Sequence, residues 1–252
     1  MTPIIHLGID PEDFPADSVA RVRALTSDYE IVVTTDRAEI EANLDRIEIA
    51  LHRFPHDLLA MAPHLQWLQQ FGAGADWLQR YPEVRELDFT LTNASGVHAV
   101  PISEHMMGFL LALGRGFPAC IRDQKDRVWE PNRSQELWEL ADKRVLLLGV
   151  GAIGERFARL CVACGAEVVG VRRDPGAPTR WVGRVVGPDS LHEELPHADV
   201  LANTLPYTEE THHMIGREEF GLIKDGAVLV NIGRGGTIDE AAMIEALESG
   251  KL

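Results

Sequence analysis

Short apolar runs recur along this chain at intervals that suit alternating strands and helices. Residues 4–9, 29–34, 47–51, 65–71 and 87–91 read as strands, rich in β-branched or aromatic side chains and bounded by turn-forming residues. Helical spacing appears between them at 19–25, 37–44 and 57–62. This alternation predicts an open parallel sheet with helices on both faces. A longer helix is predicted over 101–113, where Ile102, Met106, Met107, Phe109, Leu110, Leu111 and Leu113 leave few polar sides. A helix so apolar is expected between layers rather than on a surface. Pro101, Ser103 and Glu104 suit its first turn. Residues 116–141 are polar apart from Trp129 and Trp138, and read as a helical or looping connector. Strands follow at 143–148, 167–171, weakly at 182–186, and at 198–201 and 227–231, with helices up to Gly165 and at 191–195, 218–222 and 239–248. No internal repeat or low-complexity tract is visible. The pattern divides into domains at 1–98 and 99–252.

The strand at 143–148 is a continuous apolar run with a charged start, as a fully buried parallel strand should be. It leads into Gly149-Val150-Gly151-Ala152-Ile153-Gly154. Gly149 permits a tight turn, Gly151 lets backbone approach a pyrophosphate, and Gly154 lets the helix sit close to its strand. The N–H groups of Ala152 and Ile153 would then face phosphate at a helix start. Glycine turns are common, but this one lies between a strand and a helix, with a second Val-rich strand at the right interval. It points to dinucleotide binding, against the alternative of a plain tight turn. In such sites an acid about twenty residues on selects NAD, and arginine accommodates the 2′-phosphate of NADP. Here the second strand ends in Arg172-Arg173, and the first acid is Asp174. A guanidinium pairs with phosphate in a two-pronged fashion and a carboxylate repels it. NADP is therefore the expected coenzyme ahead of NAD; the alternative is a solvated arginine pair with Asp174 reaching back to the ribose.

Composition narrows the partners. The formal charge of −15 and pI near 5.0 argue against nucleic acid and an anionic membrane surface. The reason for the excess of acid is not written in the sequence. No apolar run has the length of a membrane span, and the N-terminus lacks the basic lead and apolar core of a secretory signal. A cytoplasmic protein is expected. Cys120, Cys161 and Cys164 make no disulfide framework. Cys161 and Cys164 have redox spacing but fall on a predicted helix, where small apolar residues are the better reading.

Four further stretches carry chemistry: Phe71-Gly72-Ala73-Gly74-Ala75-Asp76; residues 92–97 running into Ser103-Glu104-His105; residues 202–211 with Leu205-Pro206; and residues 229–240 around Gly233-Arg234-Gly235. With the glycine turn, in this order and at these separations, they resemble the NAD(P)-dependent D-2-hydroxyacid dehydrogenases, and among these the glyoxylate/hydroxypyruvate reductases. The similarity is loose before residue 65 and dense after it. The resemblance implies an α/β fold of two doubly wound parallel-sheet domains, a flavodoxin-like substrate domain and a Rossmann dinucleotide-binding domain. It implies that the amides of Ala73 and Gly74 hold a substrate carboxylate. Arg234 would be the catalytic arginine, pairing with carboxylate and keto oxygen. Leu205, Pro206 and Ile232 would line the nicotinamide, and Thr211 would lie close to the pyrophosphate. The helix from Pro101 and the connector with Trp129 would form a homodimer. The implied reaction moves hydride between NADP(H) or NAD(H) and a small 2-ketoacid or D-2-hydroxyacid.

The family's proton donor is a histidine held by a glutamate, and the segments that carry this pair have no counterpart before Leu252. On that pattern the chain is cut short, and by itself is expected to be catalytically feeble or inert. His52, His56, His64, His98, His105, His192, His212 and His213 read as structural or solvated. None has metal-ligand spacing, so no metal is expected. The competing reading is a catalytically inactive cofactor-sensing or dimerisation module on the same fold. A related amino-acid or formate dehydrogenase fits the Gly72–Gly74 and Gly233–Gly235 turns less well. Which 2-hydroxyacid is used is not written in the sequence.

Overall fold

The computed structural model describes residues 1–130 and 137–252. Residues 131–136, part of the connector expected over 116–141, lie outside the described residues. The chain forms two units, Met1–Ser95 and Gly96–Leu252.

In the first unit, apolar runs become strands β1 (Ile4–Gly8), β2 (Glu30–Val33), β3 (Ile47–His52), β4 (Trp67–Gln69) and β5 (Thr90–Thr92). Helices α1 (Ser18–Arg23) and α2 (Arg37–Glu41) join the first three. The sheet is parallel throughout, in the order β2-β1-β3-β4-β5. That is the flavodoxin-like doubly wound order. Ile4, Ile40, Ile47, Leu58, Leu59 and Leu68 fill its core. Asp36 caps α2 by accepting from the Glu39 amide at 3.0 Å. Two expectations shift. The helix expected at 57–62 is a 3-10 turn over His56–Met61, and the strand expected at 87–91 is replaced by β5 at Thr90–Thr92. A 3-10 turn over Pro82–Glu86 and the bond from Phe89 N to Leu87 O take up the chain before β5. Leu87 and Phe89 pack on the core from irregular backbone, and only Leu91 of the three pairs in the sheet, opposite Leu68.

The second unit opens with helices α3 (Ala99–Gly114) and α4 (Phe117–Asp126). Strands β6 (Arg144–Leu148), β7 (Glu167–Val171), β8 (Arg184–Val186), β9 (Val200–Asn203) and β10 (Val228–Asn231) follow. They alternate with α5 (Ala152–Ala163), α6 (Leu191–Glu194), α7 (Arg217–Leu222) and α8 (Glu240–Glu248). All five strands are parallel, in the order β10-β9-β6-β7-β8. The chain winds outward from β6 through β7 to β8, then crosses to β9 on the other side. The carboxyl edge between β6 and β9 is thus the topological switch point, where open α/β sheets bind ligands. Val145, Leu146, Leu147 and Leu148 of β6 are fully buried between two helical layers.

The expectation that α3 lies buried on most sides does not hold. Met106, Met107 and Leu110 are buried with Phe157, Ala158 and Cys161 of α5, but Phe109 is 65% exposed and Leu113 49%. A helix packed on one neighbour buries one stripe, and the apolar residues of α3 exceed it. Trp129, at 89%, is also exposed. Cys161 packs inside as a small apolar residue, its thiol pushed up to about 12 by burial, whereas Cys164 ends α5 in solvent. Among the described residues no helix is long and apolar enough to cross a membrane.

Candidate functional site

The turn after β6 is shaped by its glycines in three different ways. Gly149 has φ +91°, the left-handed region, and a Cβ there would meet Thr204 Oγ1 at 2.8 Å. Gly154 lies so close under the strand end that a Cβ would stand 2.3 Å from Gly149 O. Gly151, in extended backbone just before α5, has nothing within 4 Å of its ideal Cβ position. Strand, turn and helix therefore leave an open approach at the start of α5, where the amides of Ala152 and Ile153 lie in the first turn. An approach this close to backbone, at the positive end of a twelve-residue helix, fits a pyrophosphate. Thr204 holds the far side of the turn, donating to Leu148 O at 3.1 Å and Gly149 O at 2.8 Å.

At the end of β7 the arginines part ways. Arg172 turns onto its own loop, donating from Nε to Asp174 O at 2.7 Å and from Nη2 to Ala177 O. Asp174 also bonds inward, accepting from Gly176 N at 3.1 Å. Arg173 reaches across to Glu210, with 3.6 Å between Nη1 and Oε2.

Past β9 and β10 a buried network fixes the two loops relative to each other. Asn203, fully buried, donates through Nδ2 to Asn231 Oδ1 at 3.0 Å and Thr237 Oγ1 at 2.6 Å, and accepts from Leu205 N at 3.1 Å. Its carbonyl accepts from the amides of Ile232 and Gly233, both at 3.1 Å. Thr237 donates to Arg234 O at 2.6 Å, and Gly233 passes so near that a Cβ would lie 2.7 Å from Leu205 O. Leu205, Ile232 and Arg234 are thereby brought together at one sheet edge. Arg234 is exposed, and its guanidinium donates to Gly233 O at 3.0 Å. Thr211 is turned into its loop, accepting from Thr208 N and donating to Pro206 O, each at 2.8 Å.

In the first unit, Gln70 is the device behind the Gly72–Gly74 turn. Its Nε2 donates to Gly72 O and Gly74 O, both at 2.7 Å, while its Oε1 accepts from Trp77 Nε1 at 3.0 Å. Asn93 donates to Ala73 O at 3.1 Å. A trans peptide sets its N–H opposite its C=O, and no cis peptide occurs among the described residues. The Ala73 and Gly74 amides consequently face away from Gln70 and Asn93. Asn203, Asn231, Thr237 and Gln70 have roles that sequence reasoning misses. The available signal was that β9 and β10 both end in asparagine.

Among the described residues, one group with metal-ligand chemistry does form: ligand atoms of His192, Glu218 and Glu219 lie within 4.8 Å of one another. The imidazole faces a different carboxylate with each nitrogen, Glu219 at 2.6 Å and Glu218 at 3.7 Å. That geometry is a bridge between acids on α7, since a metal takes one nitrogen of an imidazole.

The model of the family described as D-isomer specific 2-hydroxyacid dehydrogenase, NAD binding domain, matches residues 107–252. The chain belongs to this family. Over 197 residues it is 32% identical to the hydroxypyruvate reductase of Thermotoga maritima, covering 78% of this chain and 62% of that protein. With the glyoxylate reductase of Aeropyrum pernix it shares 33% over 208 residues, covering 79% and 60%. Against the D-3-phosphoglycerate dehydrogenase of Methanocaldococcus jannaschii the identity is 32% over 199 residues, covering 78% and 37%. The chain therefore spans between about a third and two thirds of the length of these relatives. Among solved structures, a D-isomer specific 2-hydroxyacid dehydrogenase family protein from Aeromonas salmonicida superposes with a TM-score of 0.83 at 30% identity, covering all of this chain and 79% of that one. A D-lactate dehydrogenase from Aquifex aeolicus complexed with NAD and lactic acid gives 0.81 at 25%, covering 99% and 74%. A family member from Xanthobacter autotrophicus in complex with NADPH and MES gives 0.78 at 25%, covering 100% and 78%. The D-2-hydroxyacid dehydrogenase membership accounts for both sheets and for the glycine turn between β6 and α5.

Proposed function

We propose that the protein is an oxidoreductase that reduces a small 2-ketoacid to its D-2-hydroxyacid, with NADP(H) preferred over NAD(H). The observation that carries this reading is the open approach at Gly151, on the same sheet edge as the Leu205, Ile232 and Arg234 loops. The bound nicotinamide supplies the hydride to the keto carbon. Gly149, Gly151 and Gly154 shape the turn for the pyrophosphate, which the amides of Ala152 and Ile153 hold, with Thr211 bracing the neighbouring loop. Leu205, Pro206 and Ile232 form the apolar side against the nicotinamide ring. The amides of Ala73 and Gly74 orient the substrate carboxylate. Arg234 pairs with the carboxylate and keto oxygen, and stabilises the negative charge that grows on that oxygen as hydride arrives. A permanently charged fork does this without giving up a proton, so the proton that turns the resulting alkoxide into the alcohol is taken from water. The preference for NADP(H) is supported by the two arginines at the end of β7 and by Asp174 bonding inward to Gly176. Arg172 braces the loop and Arg173 meets the 2′-phosphate.

The protein further assembles as a homodimer through α3 and α4. Phe109, Leu113, Phe117 and Ile121 line an open apolar groove of about 660 Å³. Such a face is costly to leave in water.

The test is fluorescence titration with NADPH and NADH, with and without oxamate as a 2-ketoacid analogue. Coenzyme should bind alone, and oxamate should bind only when coenzyme is present. Arg234→Gln should leave coenzyme affinity within about twofold and weaken oxamate by about two orders of magnitude, as loss of a charged bidentate partner does. No binding of either coenzyme would defeat the reading.

A further inference from the structure

Arg173 and Glu210 stand on loops that do not follow neighbouring strands. Strand β7 lies on one side of β6 and β9 on the other, so the loops after them flank the Gly149–Gly154 turn. The ion pair between Arg173 Nη1 and Glu210 Oε2, at 3.6 Å, therefore runs from one flank of the turn to the other. The remaining charges at the end of β7 are committed elsewhere: Arg172 to the carbonyls of Asp174 and Ala177, Asp174 to the amide of Gly176. Arg173 alone of the three is held by a side chain rather than by its own loop.

We propose that Glu210 tempers the coenzyme preference by competing with the 2′-phosphate for Arg173. This rests on the reading that the second unit binds NAD(P)H over the glycine turn. The side chains are 81% and 70% exposed, so water and salt weaken their attraction and either can be drawn away. A ribose phosphate brings nearly two negative charges and three acceptor oxygens, and takes a guanidinium in two-pronged fashion. It displaces the Glu210 carboxylate, but must then lie close to that carboxylate. The ribose 2′-hydroxyl of NADH carries no charge and leaves the pair intact. Glu210 thus penalises NADPH and spares NADH, narrowing a preference that the arginines set.

Three variants test this by binding alone, titrating coenzyme fluorescence against Glu210→Gln, Arg173→Ala and the double variant. Glu210→Gln should tighten NADPH by about threefold to tenfold, the scale of one exposed charge at close range. It should leave NADH within about twofold, and the gain should shrink as salt is raised. Arg173→Ala should weaken NADPH selectively, and adding Glu210→Gln to it should restore little. Unchanged NADPH affinity in Glu210→Gln, or an equal change for both coenzymes, would overturn the assignment. Wild-type protein that binds neither coenzyme would instead defeat the oxidoreductase reading itself.

Discussion

Gly151 and Gly154 lie three residues apart and answer to different demands. Gly154 is needed by the fold, because any Cβ would overlap the Gly149 carbonyl; the chain leaves the space at Gly151 empty, and on the proposed function it is the pyrophosphate that needs it. Substitution should separate the two. Gly154→Ala should destabilise the second unit by about 1–3 kcal/mol, read as a fall in melting temperature. Gly151→Ala, in extended backbone that alanine adopts freely, should melt within a degree or so of wild type and yet weaken NADPH and NADH alike by at least about tenfold. A Gly151→Ala protein that binds both normally would contradict the pyrophosphate placement. The glycines could be read in the sequence because their spacing is fixed by one turn. Asn203 could not: its partners Asn231 and Thr237 stand far along the chain. A polar residue ending a strand looks the same whether it organises two loops or meets water. Gln70 was hidden likewise, as three of its bonds go to carbonyls and an indole that only the folded turn assembles.

Among elements, periodicity located nearly every strand and helix, and it missed where it could not weigh neighbours. The apolar excess of α3 told of burial without telling what does the burying. One stripe is covered by α5; Phe109 and Leu113 face outward with Phe117 and Ile121 of α4. If a second copy covers this face, Phe109→Glu should convert a dimer to a monomer in light scattering behind size exclusion, since a charge buried in an apolar contact is costly. The melting of the separated chain should change little, because Phe109 is 65% exposed within it. A wild-type protein already monomeric at high concentration would rule out this pairing. The strand misplaced by sequence, β5, shows the reverse limit. Leu87 and Phe89, just before it, alternate because their side chains pack on the core, which a short irregular segment can mimic.

At the scale of the molecule, the two units differ in how they respond to acid. His6 is fully buried in the first unit, where burial lowers its pKa against the opposing pull of the Thr34 carbonyl and Glu39. It is neutral at pH 7, so Nε2 carries the proton donated to Thr34 O at 3.0 Å and Nδ1 lies buried without a partner. Burial also lowers His52 and His56. A histidine whose folded pKa is depressed contributes stability above its unfolded value near 6.5, lost as pH falls toward the folded one. The second unit instead holds Asp199 and Glu219 below the usual carboxylate range: burial pushes both up, but bonds from the Arg144 and Gly216 amides, Lys224 and His192 outweigh it. Those contributions fade only in stronger acid. Between about pH 7.5 and 5.5 the first unit should therefore lose stability while the second holds. Hydrogen exchange read by mass spectrometry would resolve them, and His6→Gln, which keeps a donor for Thr34 O, should flatten the slope. Equal acid sensitivity of both units would refute this account.

Because every strand of the second sheet points the same way, its two rims carry different groups. Gly149, Arg173, Leu205 and Arg234 all leave strands at one rim; Lys143, Asp199, Lys224 and Asp225 gather at the other, where Lys224 holds Asp199 at 3.0 Å. On the proposed function, variation at the rim of Asp199 and Lys224 should change how firmly the scaffold stands, and variation at the rim of Gly149 and Arg234 should change what it binds. A designer wanting a tougher protein and one wanting a different substrate would be editing opposite ends of the same five strands.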